Sequence, residues 1–271
     1  AAGFDQFWVS DDLFLRGVWP ILTACALAAE RIRLGSCIIN PYTMHPAEIA
    51  MQAAALDELS GGRFLLGLGA GAADFLGWVG LPQQRPLARM AETLAALRRL
   101  FAGERVRFEG QELRGWTDEA YLRFAARPIP LYLGAMSPKM QRLIGQSADG
   151  GLPLLFPPEL YADVAAQVAA GAAEAGRDMG AIDLAACIWV SVSDDRAAAE
   201  AVLREKIAFY GHALSDQILA RLGVARAEFE PIARAAQAEN DMAKARALVT
   251  EPMLKIGVAG AARDLIPRLE G

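Results

Sequence analysis

Short apolar runs of β character alternate along this chain with longer stretches of helical periodicity, the pattern left by βα units around a parallel sheet. Gln6 to Ser10 reads as the first strand, followed by a helix from Val18 to Glu30. Ile32 to Ile39 reads as the second, followed by a helix opening at Pro46, where the fixed φ of proline suits the first turn. Arg63 to Leu68 is a third strand, running through a glycine-rich loop into a helix with Leu87, Met90, Ala91 and Leu94 on one face. Beyond a polar excursion from Glu104 to Arg127, Leu131 to Gly134 reads as a fourth strand with a helix from Pro138, and Gly151 to Phe156 as a fifth. Ile182 to Val192 reads as a sixth, with Ser193 or Asp194 capping the alanine-rich helix beyond it. The remainder, Arg196 to Gly271, reads as entirely helical.

A closed (β/α)8 barrel needs eight strands, more than this pattern supplies. The opening Ala1-Ala2-Gly3-Phe4-Asp5 reads as a helix tail running into a strand, and Leu269-Glu270-Gly271 as a helix end awaiting one. The expectation is therefore a single domain over residues 1–271, a barrel lacking its first and last strands. Hydrophobic residues make up 54% of the chain and charged ones 22%, which suits a soluble protein with a large core. A net charge of -5 with both signs interspersed leaves no basic stripe for a phosphate backbone, so nucleic acid is not an expected partner. The apolar run from Val18 to Ala29 falls short of the roughly 20 residues that span a bilayer, and the reading is a cytoplasmic protein. Cys25, Cys37 and Cys187 form no CxxC pair, and the only histidines are His45 and His212, so neither a disulfide frame nor a metal site is expected.

Several segments carry candidate chemistry. Gly67-Leu68-Gly69-Ala70-Gly71 follows a strand and leads toward a helix, which raises a dinucleotide fold as a rival. That fold wants an acidic residue ending a second strand about 20 residues on, whereas the position falls at Glu92, inside an amphipathic helix. Glycines there admit close approach of a flat ring, or form a tight turn with no ligand. In Gly134-Ala135-Met136-Ser137-Pro138-Lys139-Met140, Ser137 is a good N-cap and Pro138 a good first helical residue. A helix starting at a strand end aims its free N–H groups and positive dipole at the mouth of the sheet, where a phosphate can bind and Lys139 can add charge; the alternative is a cap and nothing more. Asp11 and Asp12 leave the first strand at the same end, as candidates for orienting a ring substituent or transferring a proton, or as loop aspartates capping a turn. The loop from Asn40 to Pro46 can supply amide and hydroxyl contacts, with His45 reading as a packing residue. Trp78 and Met136 either flank a ring pocket or fill the core.

Taken in order, Ala29-Glu30-Arg31-Ile32-Arg33-Leu34-Gly35, then Asn40-Pro41-Tyr42-Thr43 with His45-Pro46-Ala47, then Leu56-Asp57-Glu58-Leu59-Ser60-Gly61-Gly62-Arg63-Phe64 and Gly67 to Gly71, resemble the luciferase-like flavin-dependent oxidoreductases. Gly134 to Met140 followed by Ala148-Asp149-Gly150 resembles the branch containing methylenetetrahydromethanopterin reductase. The resemblance implies a (β/α)8 barrel that binds coenzyme F-420 or FMN and transfers hydride to or from a small organic substrate. A flavin-dependent monooxygenase and a non-catalytic flavin-binding barrel are the alternatives. It further implies a phosphate near Ala135, Met136 and Ser137, and a non-prolyl cis peptide at Cys37-Ile38 forming a bulge behind the ring. Asp11, Cys37, Ile38, Asn40, Gly69, Ala70, Gly71, Ala135, Met136, Ser137 and Lys139 are the cofactor-binding candidates, and Asp11 and Asp12 the catalytic ones. The chain departs from the family where Asp-His is usual and Asp11-Asp12 stands, and after Gly71, where Ala72 and Ala73 replace a polar residue. Related barrels often pair, so a homodimer is an expected assembly.

Overall fold

The computed structural model describes residues 3–270; Ala1, Ala2 and Gly271 lie outside the described residues, and with them the outermost part of the readings made at both ends. The chain divides into two units, one running up to Leu152 and including Gln167–Ala185, the other comprising Pro153–Ala166 and the chain from Ala186 on.

The first unit is built on a six-stranded sheet in which strands follow one another in chain order. They are β1 (Gln6–Ser10), β2 (Arg33–Cys37), β3 (Phe64–Leu68), β4 (Leu131–Ala135), β5 (Gly150–Pro153) and β6 (Asp183–Leu184). β1 pairs parallel to β2 with Gln6 opposite Arg33, β3 to β4 with Leu66 opposite Leu131, and β5 to β6 with Gly150 opposite Asp183. Helices α1 (Val18–Ala28), α2 (Pro46–Ser60), α3 (Ala73–Gly77), α4 (Pro86–Phe101) and α5 (Pro138–Ser147) make the connections, and α6 (Tyr161–Glu174) precedes β6. Parallel strands joined through helices are covered on both faces, which is why every residue of β3 is buried. No helix among the described residues is long and apolar enough to cross a membrane.

The sheet curls. Gln6 on β1 donates from its amide to Asp183 on β6 at 2.8 Å, although these strands stand at opposite edges of the sheet order. Tyr132 donates its hydroxyl to the same carboxylate at 2.5 Å, and the Trp8 indole donates to Gln6 at 2.9 Å. Glycines make room for the rings. A Cβ on Gly35 would lie 2.1 Å from Trp8 and one on Gly150 2.1 Å from Tyr132, and the two rings meet edge to face at 4.9 Å. Large side chains thus fill the interior toward the strand starts and leave the strand ends for chemistry.

The Ser60-Gly61-Gly62-Arg63 stretch is a fold staple. Gly61 ends α2 in the left-handed region at φ 70°, the conformation glycine adopts most cheaply. Arg63 then donates to the carbonyls of Ser60, Ile32 and Ala26 at 2.7, 3.0 and 2.9 Å, tying the ends of α2 and α1 to the start of β2.

Four expectations need correction. On α4, Met90 and Leu94 are buried as read, but the buried stripe continues through Thr93, Leu97, Leu100 and Phe101. Leu87, 38% exposed, and Ala91 border a groove instead, because the first turn of α4 faces the side of α5 and not the sheet. The run from Ile182 to Val192 is not one strand: Asp183–Leu184 forms β6, Cys187 bridges Leu154, and Val190–Val192 forms β7. A continuous apolar run conceals the point at which the chain leaves one sheet for another. The chain after Arg196 is not all helical, since Val258–Gly260 forms β8, parallel to β7 with Val190 opposite Val258. Nor do Ser193 or Asp194 cap the helix α7 (Arg196–Tyr210). Asp195 does so, accepting from the Ala197 and Ala198 N–H groups at 2.9 and 3.2 Å, while Ser193 accepts from Asp195.

Candidate active site

Parallel pairing carries the loops after β1, β2, β3 and β4 to one end of the sheet, the end at which barrel enzymes place their chemistry. The Asp11 N–H donates to the Cys37 carbonyl at 3.0 Å, continuing the β1 ladder one residue past the strand. There the Cys37-Ile38 peptide is cis, at the position the family resemblance implied. Beyond it the Ile39 N–H donates to Gly67 at 2.8 Å and the Gly69 N–H returns to Ile39 at 3.0 Å.

The glycines of this end are spoken for by protein. A Cβ on Gly69 would lie 2.7 Å from Ile38 Cδ1 and one on Gly134 3.2 Å from Ile38 Cγ2, so the Ile38 side chain occupies the space both residues leave. Gly71 sits at φ 70° with Asn40 Nδ2 2.3 Å from where its Cβ would be. Asn40 donates to the Ala70 carbonyl at 3.2 Å and accepts from the Tyr42 N–H at 2.9 Å, and Gln83 donates to Ala70 and Gly71 at 2.9 Å each. The structure therefore brings Asp11, Cys37, Ile38, Asn40, Gly69, Ala70 and Gly71 together. Ala135 ends β4 next to Gly134, Met136 follows it, and Ser137 caps α5, accepting from the Met140 N–H at 3.4 Å with Pro138 as the first helical residue. Lys139 stands apart, along a groove of about 470 Å³ with Leu87, Arg142 and Glu174.

Asp11 is the site's most perturbed carboxyl, pushed up from 3.8 to about 6 by burial and then by the charge of Asp12, against the Val18 N–H that it accepts. It thereby serves the first turn of α1, whose N-cap residue Gly17 has no side chain to do so. Burial also raises Asp12, with the Leu13 N–H at 2.9 Å opposing. Tyr132 is raised by burial and then by its bond to Asp183.

His45 behaves as a packing residue. It caps α2 by accepting from the Ala47 N–H at 3.2 Å, stacks on Trp116 with ring centroids 5.5 Å apart, and is lowered by burial and then by Arg89. Trp116 belongs to the polar excursion before β4, which a cluster invisible in the sequence pattern secures. Glu92 accepts the N–H groups of Gln111, Glu112 and Leu113 at 2.7, 2.9 and 2.8 Å, and Arg89 pairs with Glu112 at 3.2 Å. Burial alone would raise Glu92; those donors and Arg89 outweigh it and hold it below the usual range. Charge-assisted bonds of this kind contribute about 1.5–3 kcal/mol each when buried, but the loop N–H groups return to water in the variant, so Glu92→Ala is expected to destabilise the fold by a net of about 2 kcal/mol. Urea unfolding measures the loss, and limited proteolysis should cut the variant first between Glu104 and Arg127.

A curled parallel sheet with its loops gathered around a cis peptide, a carboxyl raised by burial and a capped helix start defines an α/β enzyme scaffold with its candidate site at the strand ends. Residues 1–270 match the luciferase-like monooxygenase family, and the chain belongs to that family. Among its relatives, the 5,10-methylenetetrahydromethanopterin reductase of Methanolobus tindarius is 36% identical over 222 residues, covering 82% of this chain and 68% of the relative. The F-420-dependent glucose-6-phosphate dehydrogenase of Nakamurella multipartita is 33% identical over 72% of this chain and 61% of that protein. The solved coenzyme F-420-dependent tetrahydromethanopterin reductase of Methanopyrus kandleri superposes with a TM-score of 0.87 at 30% identity, covering 99% of this chain and 82% of that one.

Proposed function

We propose that this chain is an F-420-dependent oxidoreductase that moves hydride to or from a small organic substrate. The observation that carries the reading is the start of α5 just past β4: a ten-residue helix, capped by Ser137, that begins at Pro138 three residues after the last strand residue Ala135. Neutral donors reinforced by a helix dipole form a donor set that fits a phosphodiester, and likeness to relatives named as F-420-dependent supports the choice of cofactor.

When bound, F-420 supplies the hydride donor or acceptor at its deazaflavin C5. The chain's own residues bind and orient. Ser137, with Ala135 and Met136, would hold the phosphate, Lys139 lying apart in its groove; Cys37, Ile38, Asn40, Ala70 and Gly71 would form the surface for the ring, with the Ile38 side chain filling the space that Gly69 leaves. Asp11 would take up or release a proton at its carboxyl near pH 6, a value set by burial first and the charge of Asp12 second. In this reading the fold is of the (β/α)8-barrel type, which the six strands following one another in chain order support. Its setting is the cytoplasm and its assembly a homodimer.

The test is titration of the full chain with F-420 and with FMN, repeated on Ser137→Asp. Aspartate caps a helix as well as serine does, so Tm should hold while its charge opposes phosphate. F-420 binding weakened about tenfold or more in the variant is the expected result. Binding of FMN in place of F-420 would move the assignment to a flavin enzyme, and binding of neither would end it.

A further inference from the structure

The Ala70-Gly71 turn after β3 is held by a side chain from further along the chain. Gln83, in the connection between α3 and α4, donates its amide nitrogen to the Ala70 carbonyl and to the Gly71 carbonyl at 2.9 Å each. An amide nitrogen carries two hydrogens, and here one serves each of two successive carbonyls. Both neighbours are acceptors, so only this orientation of the amide fits. Asn40 joins it on the first carbonyl only, at 3.2 Å. Gln83 is itself preset. The Leu81 N–H donates to the Leu76 carbonyl at 3.0 Å, the Gln84 N–H to Pro82 at 3.1 Å, and the Tyr42 hydroxyl to the Gln84 carbonyl, which fixes the backbone on both sides of it. Arg89 lies over the Tyr42 ring at 5.2 Å and pairs with Glu112 at 3.2 Å, anchoring the tyrosine in turn. Gly71 needs such a restraint, because it is exposed, stands at φ 70° and, as glycine, can leave that conformation freely.

We propose that Gln83 is a positioning residue for the cofactor ring, fixing the Ala70-Gly71 turn in the shape that the ring meets. This rests on the F-420 reading above and names what makes that surface rigid before a ligand arrives. Gln83 and Ala70 are only half-buried, so water replaces the donor when it is removed and the fold loses little. What is lost is preorganisation, which the ligand must then restore out of its own binding energy. The two bonds need a donor, so the position discriminates between side chains of similar reach. Methionine and glutamate fill the volume of glutamine but bring no N–H, whereas lysine reaches as far and donates.

The experiment uses the full chain as wild type, Gln83→Met, Gln83→Glu and Gln83→Lys, with Gln84→Glu and Gln84→Lys carrying the same charges one residue away. Hydrogen exchange of the stretch from Leu68 to Phe75, without ligand, reads the turn; fluorescence titration reads F-420 binding, and thermal unfolding reads the fold. In Gln83→Met and Gln83→Glu that stretch should exchange about tenfold faster and F-420 should bind about three- to tenfold more weakly, with Tm within about 2 °C of wild type. Gln83→Lys should recover both to within about threefold, and the Gln84 variants should exchange as wild type does. Unchanged exchange in Gln83→Met overturns the proposal whatever F-420 does. Faster exchange with unchanged F-420 affinity overturns it too, since the turn is then held for its own sake. A loss of affinity that Gln84→Glu reproduces, or that Gln83→Lys leaves unrecovered, belongs to charge or shape and overturns it as well. Absence of F-420 binding by wild type overturns the cofactor reading and this role together, and the exchange result tells that failure apart from a turn that Gln83 never held.

Discussion

Asp11→Asn is expected to lower turnover of the F-420-loaded enzyme by about a hundredfold and to make the protein more stable at pH 7. Both follow from one displacement. The folded state holds the Asp11 carboxyl at about 6 against an ordinary 3.8, so between those values the native chain binds more protons than the unfolded one. Stability from this group is therefore complete below about pH 4, declines as pH rises toward 6, and is flat above. Burial is partial, so solvent screening reduces the effect to about 1–2 kcal/mol. Asparagine cannot ionise, and its carbonyl still accepts the Val18 N–H, so the variant should lack that slope and gain about 1 kcal/mol at neutral pH. The activity profile carries the second signature: a limb near pH 6 in wild type, absent in Asp11→Asn and moved downward in Asp12→Asn, where a neighbouring charge is gone. Urea unfolding at pH 4, 5, 6 and 7, with kcat against pH, measures both; an unchanged limb in Asp11→Asn would assign the proton to another group.

That a carboxyl stands at this strand end was legible in the sequence, because strand ends of a parallel sheet gather by topology alone. β1, β3 and β4 fall within one residue of their sequence readings, since each is a short apolar run bounded by a polar or glycine signal. Ser137-Pro138 likewise marks a helix start whatever the tertiary context. What pattern reading missed depends on contacts distant in the chain. Gly69 looked available for a ligand, and only the structure shows Ile38 filling its space. Glu92 drew notice only for what it was not, because its partners lie about twenty residues away on a loop without periodicity. The three residues of β8 carry too little alternation to register, and the Ile182 to Val192 run hides its break because both halves are equally apolar. The cis peptide at Cys37-Ile38 has no composition signal; it came from family likeness.

Gly67→Ala is expected to be among the most damaging single methyls in the first unit, destabilising it by about 4 kcal/mol and weakening cofactor binding with it. A Cβ there would lie 1.9 Å from the Ser36 carbonyl oxygen and 3.0 Å from Leu152 Cδ1. The first of these is backbone, which no rotamer change can clear, so β2 and β3 must separate. Their separation breaks a pair of bonds in the core: Ser36, fully buried, donates its hydroxyl to the Gly67 carbonyl at 3.1 Å and accepts from the Gly67 N–H at 3.0 Å. The same carbonyl accepts from Ile39 at 2.8 Å, so the chain leaving β2 loses its anchor just past the cis Cys37-Ile38 peptide against which the ring is proposed to rest. Gly77→Ala is the control. Nothing lies within 4 Å of its Cβ and its φ is ordinary, so a stability change within about 0.5 kcal/mol of wild type is expected. Thermal unfolding of the two variants beside wild type, with F-420 titration at a temperature where all are folded, separates steric damage from a general intolerance of added methyls. A Gly67→Ala protein as stable as Gly77→Ala would mean that β2 and β3 part more easily than their register implies.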